Sequence, residues 1–132
     1  MSVFVDSSAL IATLVAEDIK HSSAATFWSE MIQRDQQLVT SNYIVLETCS
    51  LLHRRVGLYA VRRLLEDLLP SILVEWVDVP THQAGIYSLL VSSRGGPSLV
   101  DCVSFVAMRR LGIKTAFTFD NHFREQGFDC RP

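Results

Sequence analysis

Several common routes to function are missing from this chain. The four histidines, His21, His53, His82 and His122, are scattered, so no zinc-type spacing is present. The three cysteines, Cys49, Cys102 and Cys130, are an odd number with no close pair. That argues against a disulfide framework and for a reducing, cytoplasmic compartment, with apolar packing the expected role of Cys49 and Cys102. No apolar run approaches the roughly 20 residues that cross a bilayer, and no basic segment followed by a long apolar one marks a secretory leader. No glycine-rich turn follows the first apolar segment, which disfavours a dinucleotide fold. Repeats, low-complexity tracts and long linkers are absent. Nor is there a surplus of positive charge: the formal net charge is −2, which marks no obvious polyanion binder. Bound cations that neutralise part of the acidic charge would soften that argument.

What is present is one domain's worth of chain, residues 1–132, with 48% apolar residues to fill a core. Helical and strand patterns alternate, which predicts an α/β fold with a mainly parallel sheet. Val3-Phe4-Val5 is an apolar run that enters Asp6-Ser7-Ser8; it predicts a buried strand, a serine cap and a helix over Ala9–Ala16. Helices are expected over Ala24–Ile32, Tyr43–Val56 (capped by Ser41 or Asn42 and ended by Gly57), Leu58–Leu69, Pro80–Ser93 and Ser98–Leu111. Strands are expected at Leu38–Thr40, Leu73–Val79 and Ala116–Phe119, with a further edge strand at Phe128–Arg131. Arg94-Gly95-Gly96-Pro97 is a loop by its breaker chemistry. Trp28, Trp76 and the phenylalanines are expected in the core.

Four acids stand out by position. Asp6 and Asp120 each follow an apolar strand, where open α/β sheets place ligands, although each also suits a turn. Asp101 is the acid of a Ser98-Leu99-Val100-Asp101 capping box, and the same geometry aims it at the loop end of the sheet. Glu47 lies in Tyr43–Leu52, a helix apolar nearly all round and therefore expected to be largely buried; Tyr43, Ser50 or Arg54 could satisfy it there. A buried carboxylate without a partner or a metal is costly. Four carboxylates at one point repel and cannot all ionise without cations. Oxygen donors of this kind suit Mg²⁺ or Mn²⁺.

The segments Phe4-Val5-Asp6-Ser7-Ser8-Ala9-Leu10, Val45-Leu46-Glu47, Ser98-Leu99-Val100-Asp101 and Phe117-Thr118-Phe119-Asp120-Asn121-His122-Phe123 resemble, in order and spacing, those of PIN-domain ribonucleases, above all the toxins of VapC-type toxin–antitoxin pairs. The resemblance spans essentially the whole chain. It implies a three-layer α/β/α fold around a parallel sheet of about four to five strands, frequent homodimers, and a partner antitoxin. It also implies metal-dependent hydrolysis of RNA. Asp6 and Asp101 would be direct ligands of Mg²⁺ or Mn²⁺, and Glu47 and Asp120 would complete the set. Ser98 and Thr118 are expected to hold those carboxylates by hydrogen bonds. Phosphate needs cations at the mouth; the candidates are Arg54, Arg55, Arg62, Arg63 and Arg94, each of which could equally be a solvated helix face. Tyr43 or His122 could contact a base. Two other readings compete. An aspartyl phosphohydrolase would use Asp6 as nucleophile, but Ser8 stands where a second aspartate is usual. A binding module without catalysis would gain nothing from clustered repulsion.

Overall fold

The computed structural model describes residues 1–132 and holds a five-stranded sheet in which every neighbouring pair is parallel, in the order β3-β2-β1-β4-β5. The strands are β1 (Ser2–Val5), β2 (Gln37–Ser41), β3 (Leu73–Glu75), β4 (Thr115–Phe117) and β5 (Asp129–Arg131). The helices are α1 (Ser7–Leu14), α2 (His21–Gln33), α3 (Asn42–Arg55), α4 (Leu58–Arg63), α5 (Val79–Leu90), α6 (Leu99–Leu111) and α7 (Asn121–Glu125). This is the parallel α/β fold that the alternating pattern predicts, in the three-layer α/β/α arrangement that the resemblance implies.

The central strands β1 and β4 carry the most apolar runs because helices cover both sheet faces. Phe4, Val5, Ala116 and Phe117 are fully buried, together with Leu10, Ile44, Leu64, Met108 and Phe123 from the helices. Each of these side chains except that of Ala116 contributes about 1.5–3 kcal/mol by leaving water. The helices α5 and α6 approach closely at Gly85, where a Cβ would lie 2.4 Å from Val103 Cγ2. Gly112 closes α6 in the left-handed region, at φ 70°.

The connection from β1 runs through α1 and α2 to β2, and the next through α3 and α4 to β3, stepping outward in one direction. The chain then returns through α5 and α6 to β4 on the other side of β1. With right-handed crossovers, the two sets of helices fall on opposite faces. The strand order therefore reverses between β1 and β4, and a crevice opens at their carboxyl ends.

Three expectations need correction. The strand at Leu73 stops at Glu75, because Asp78 caps α5 through the Thr81 N–H (2.9 Å) and Pro80 sits in its first turn. Trp76 falls in the link between them and is 77% exposed, so it is not a core residue. The helix expected over Leu58–Leu69 keeps its length but widens to a π turn over Leu64–Leu68 before a 3₁₀ turn containing Pro70. No helix is long and apolar enough to cross a membrane, and all three cysteines are free, with Cys102 buried.

Candidate active site

Asp6 is the first residue past β1, and its N–H still bonds the Phe117 carbonyl of β4 (3.0 Å), so the ladder itself sets its position. The side chain is only 2% exposed. Its Oδ2 accepts hydrogen bonds from Ser8 Oγ (2.8 Å) and Thr118 Oγ1 (3.0 Å). Its Oδ1 is buried and has no hydrogen-bond partner. Burial pushes the Asp6 carboxyl up to about 6; the Ser8 and Thr118 hydroxyls oppose the rise and the charge of Asp101 adds to it.

Asp101 occupies the first turn of α6, where the capping box forms as expected. Ser98 Oγ accepts the Asp101 N–H (3.2 Å), and Asp101 Oδ2 accepts the Ser98 N–H (3.1 Å). Burial raises its pKa as well, and the charges of Asp120 and Glu47 add to the shift against the Ser98 bonds. Asp120 follows β4 and caps α7. Its Oδ1 accepts the His122 N–H (2.9 Å), while its own N–H donates to Thr118 Oγ1 (3.0 Å). Thr118 thus ties the ends of β1 and β4 together.

Glu47 departs from expectation. Its helix presents one face to the sheet: Ile44, Thr48 and Leu52 are buried, but Leu46 is 69% exposed and Glu47 itself is half-buried. An apolar surround in sequence did not mean burial all round. The expected helical neighbours do not satisfy it either, since Tyr43 bonds His82 and Ser50 and Arg54 face solvent. Instead Ser7 Oγ, from α1, donates to Glu47 Oε1 (2.6 Å). Ser7 and Ser8 therefore do not cap α1, whose N-cap is Asp6 with no side-chain cap bond. Both hydroxyls turn back to carboxylates.

Asp6, Glu47, Asp101 and Asp120 all line one cleft of about 420 Å³, together with Asp18, Lys20 and Arg55. Lys20 carries no signal in the sequence, because it lies in the turn before α2, outside every segment that supplies an acid of the quartet. Of the expected cations, only Arg55 lines the cleft. Arg54 is exposed outside its wall, Arg62 and Arg63 pair with Glu66 and Asp67 on the solvent side of α4, and Arg94 lies in the exposed loop before α6. His122 does reach the site. Its Nδ1 is 3.0 Å from Asp120 Oδ1 and 3.9 Å from Asp101 Oδ2, in neither case along a hydrogen-bonding direction. One ligand atom from each of Asp101, Asp120 and His122 can lie within 4.8 Å of the others.

Two buried polar atoms, Asp6 Oδ1 and His122 Nδ1, thus lack a hydrogen-bond partner in one small region. Native proteins leave few such atoms without a reason. A hard divalent cation would satisfy the carboxylate oxygens and offset their mutual repulsion, so the donor set fits such an ion.

Comparison with known proteins bears on the chain as a whole. A profile of the PIN domain matches residues 3–129. The chain is 33% identical to the 23S rRNA-specific endonuclease VapC20 of Mycobacterium tuberculosis, over 98% of each chain. The crystal structure of VapC20, described as a Sarcin-Ricin loop cleaving toxin, superposes with a TM-score of 0.88 over 98% of this chain and 99% of that one. FitAcB from Neisseria gonorrhoeae superposes with a TM-score of 0.69 at 15% identity, over 100% of this chain and 97% of that one, which shows a shared fold.

Proposed function

This chain belongs to the PIN-domain family, and we propose that it is a divalent-metal-dependent endoribonuclease, the toxin of a VapC-type toxin–antitoxin pair. The observation that carries the reading is the partnerless, buried Oδ1 of Asp6 at the end of β1, inside a cleft that three more carboxylates share.

In this reading Asp6 and Asp101 hold Mg²⁺ or Mn²⁺ directly, and Glu47 and Asp120 complete the site as ligands or by positioning water. When bound, the metal lowers the pKa of water and stabilises the charge that develops on the phosphate. The chain's own part is orientation. Ser8 and Thr118 fix the Asp6 carboxylate, the capping box fixes Asp101, and Ser7 holds Glu47. In this reading Ser98, through its backbone N–H to Asp101, and Thr118, through its hydroxyl to Asp6, act as supports. Ser8, bonded to Asp6, replaces the second acid that an aspartyl phosphohydrolase would use.

Similarity to VapC20 makes the Sarcin-Ricin loop of 23S rRNA the first substrate to try. Partnership with an antitoxin, a homodimer and a cytoplasmic site of action belong to the same reading. The test incubates purified protein with ribosomal RNA in Mg²⁺, Mn²⁺ or chelator and compares wild type with Asp6→Asn and Asp101→Asn. Discrete cuts that need metal and both acids are expected. Undiminished cutting by both variants, or in chelator, overturns the mechanism.

A further inference from the structure

A second groove of about 440 Å³ adjoins the acidic cleft and shares Lys20, Phe119 and Asp120 with it. Across that shared wall the charge balance inverts. The cleft sets five side-chain carboxylates, those of the quartet and Asp18, against Lys20 and Arg55; among side chains the second groove sets Lys20 and Arg124 against Asp120, with Pro132 also on its wall. Neither Lys20 nor Arg124 is engaged in an ion pair, whereas Arg62, Arg63, Arg110 and Arg131 each have an acid within 4.0 Å. Between the two hollows lies Phe119, with Lys20 Nζ 5.9 Å from its ring centroid. The Phe119 N–H donates to Ser8 Oγ (3.0 Å), the hydroxyl that donates to Asp6. The ring is therefore held in register with the acids. Ile19, which also lines this groove, is 94% exposed.

We propose that this groove is a nucleotide subsite: it receives the residue of the RNA strand next to the scissile phosphate, with the flanking phosphate on Lys20 and Arg124 and the base against Phe119 and Ile19. This rests on the RNA-cleaving reading above. A cleft with an excess of carboxylates attracts a polyanion poorly even with a metal present, so binding needs free cations on a path leading out of it. Single-stranded nucleic acid is held by that combination, cations along the backbone and an apolar ring face under a base. The unengaged cations, the tethered ring and the continuity with the acids meet here.

The test measures binding of a fluorescein-labelled single-stranded RNA of about 12 nucleotides by anisotropy, with Ca²⁺ in place of Mg²⁺, across a salt series. Lys20→Ala/Arg124→Ala is expected to weaken binding about tenfold or more and to flatten the log–log salt slope by about 1.4, two lost phosphate contacts on a single strand. Phe119→Leu, which keeps apolar packing but removes the ring face, is expected to weaken binding about fivefold. Arg34→Ala, on an exposed cation outside both hollows, leaves affinity unchanged. In cleavage assays the double variant raises KM and preserves kcat. If wild type binds and cuts RNA while the double variant keeps its affinity and slope, the subsite is overturned and the nuclease reading stands. If wild type neither binds nor cuts RNA, the nuclease reading fails and takes the subsite with it.

Discussion

The two kinds of charge around this crevice are held in opposite ways. Every acid of the quartet accepts a hydrogen bond: Asp6 from Ser8 and Thr118, Glu47 from Ser7, Asp101 from the Ser98 backbone, Asp120 from the His122 backbone. The cations Lys20, Arg55 and Arg124 are exposed and have no ion-pair partner. A metal site tolerates little positional error, so its donors must be held by packing and hydrogen bonds. A phosphate contact acts mainly through charge and survives a mobile side chain. Rigid acids beside free cations are the division of labour expected of a metal-dependent nuclease.

The sharpest way to break that contrast is to remove a charge from each group. Asp101→Asn should lower kcat for RNA cleavage about 10³-fold, while Lys20→Ala/Arg124→Ala acts mainly on KM. Equal losses of kcat in the two variants would show that the groups do not divide the work.

A second effect concerns stability and its sign. The Asp6 carboxyl titrates near 6 when folded, against 3.8 in the reference state. Between those values the folded chain binds more protons than the unfolded one. This group's stability is therefore full at low pH and is lost as pH rises through the folded pKa, by about 3 kcal/mol in metal-free protein at neutral pH. Thermal melts in chelator should show Asp6→Asn more stable than wild type at pH 7, and the gap should narrow towards pH 5. Added Mg²⁺ should raise the melting temperature of wild type alone. A gap that does not change with pH would refute the desolvation account.

The support of the acids is next. Ser8→Ala deletes the donor to Asp6 and the acceptor of the Phe119 N–H, and should cost about 1–3 kcal/mol in denaturant unfolding while lowering kcat as well. Unchanged kcat would mean that Asp6 is held well enough by Thr118. The smallest effect belongs to an engaged cation. Arg63→Ala removes an exposed ion pair with Asp67 at 3.6 Å and should shift stability by less than about 1 kcal/mol, with RNA affinity unchanged. A marked loss of affinity would bring α4 into the RNA path after all.

Much of the acid half was legible beforehand. Asp6 and Asp120 are marked by the apolar strands that precede them, and Asp101 by a capping box whose spacing is local. Glu47 is only partly legible: its helix is apolar nearly all round in sequence, but one side faces solvent, and the hydroxyl that holds the carboxylate lies 40 residues away. Trp76 has a residue type that suggests burial, whereas its position in the short link between β3 and α5 leaves it outside the core. Ser7 and Ser8 suit a cap by local pattern, which does not register that Glu47 is brought to Ser7 from 40 residues away.

Local order along the chain was enough to determine the alternation of strands and helices, the parallel sheet, and which carboxylates sit at strand ends and helix starts. The elements and their ends depend on neighbours within a few residues, which the alternation of apolar and polar positions records, and the parallel sheet follows from strands alternating with helices. Only the tertiary structure decided that the strand order reverses between β1 and β4, that Ser7 reaches Glu47, that His122 joins Asp101 and Asp120, and that Lys20 and Arg124 flank Phe119 beside the acids. Each of these is a meeting of segments far apart in the chain, set by how the helices pack on the sheet, and no periodicity in sequence encodes such a distance.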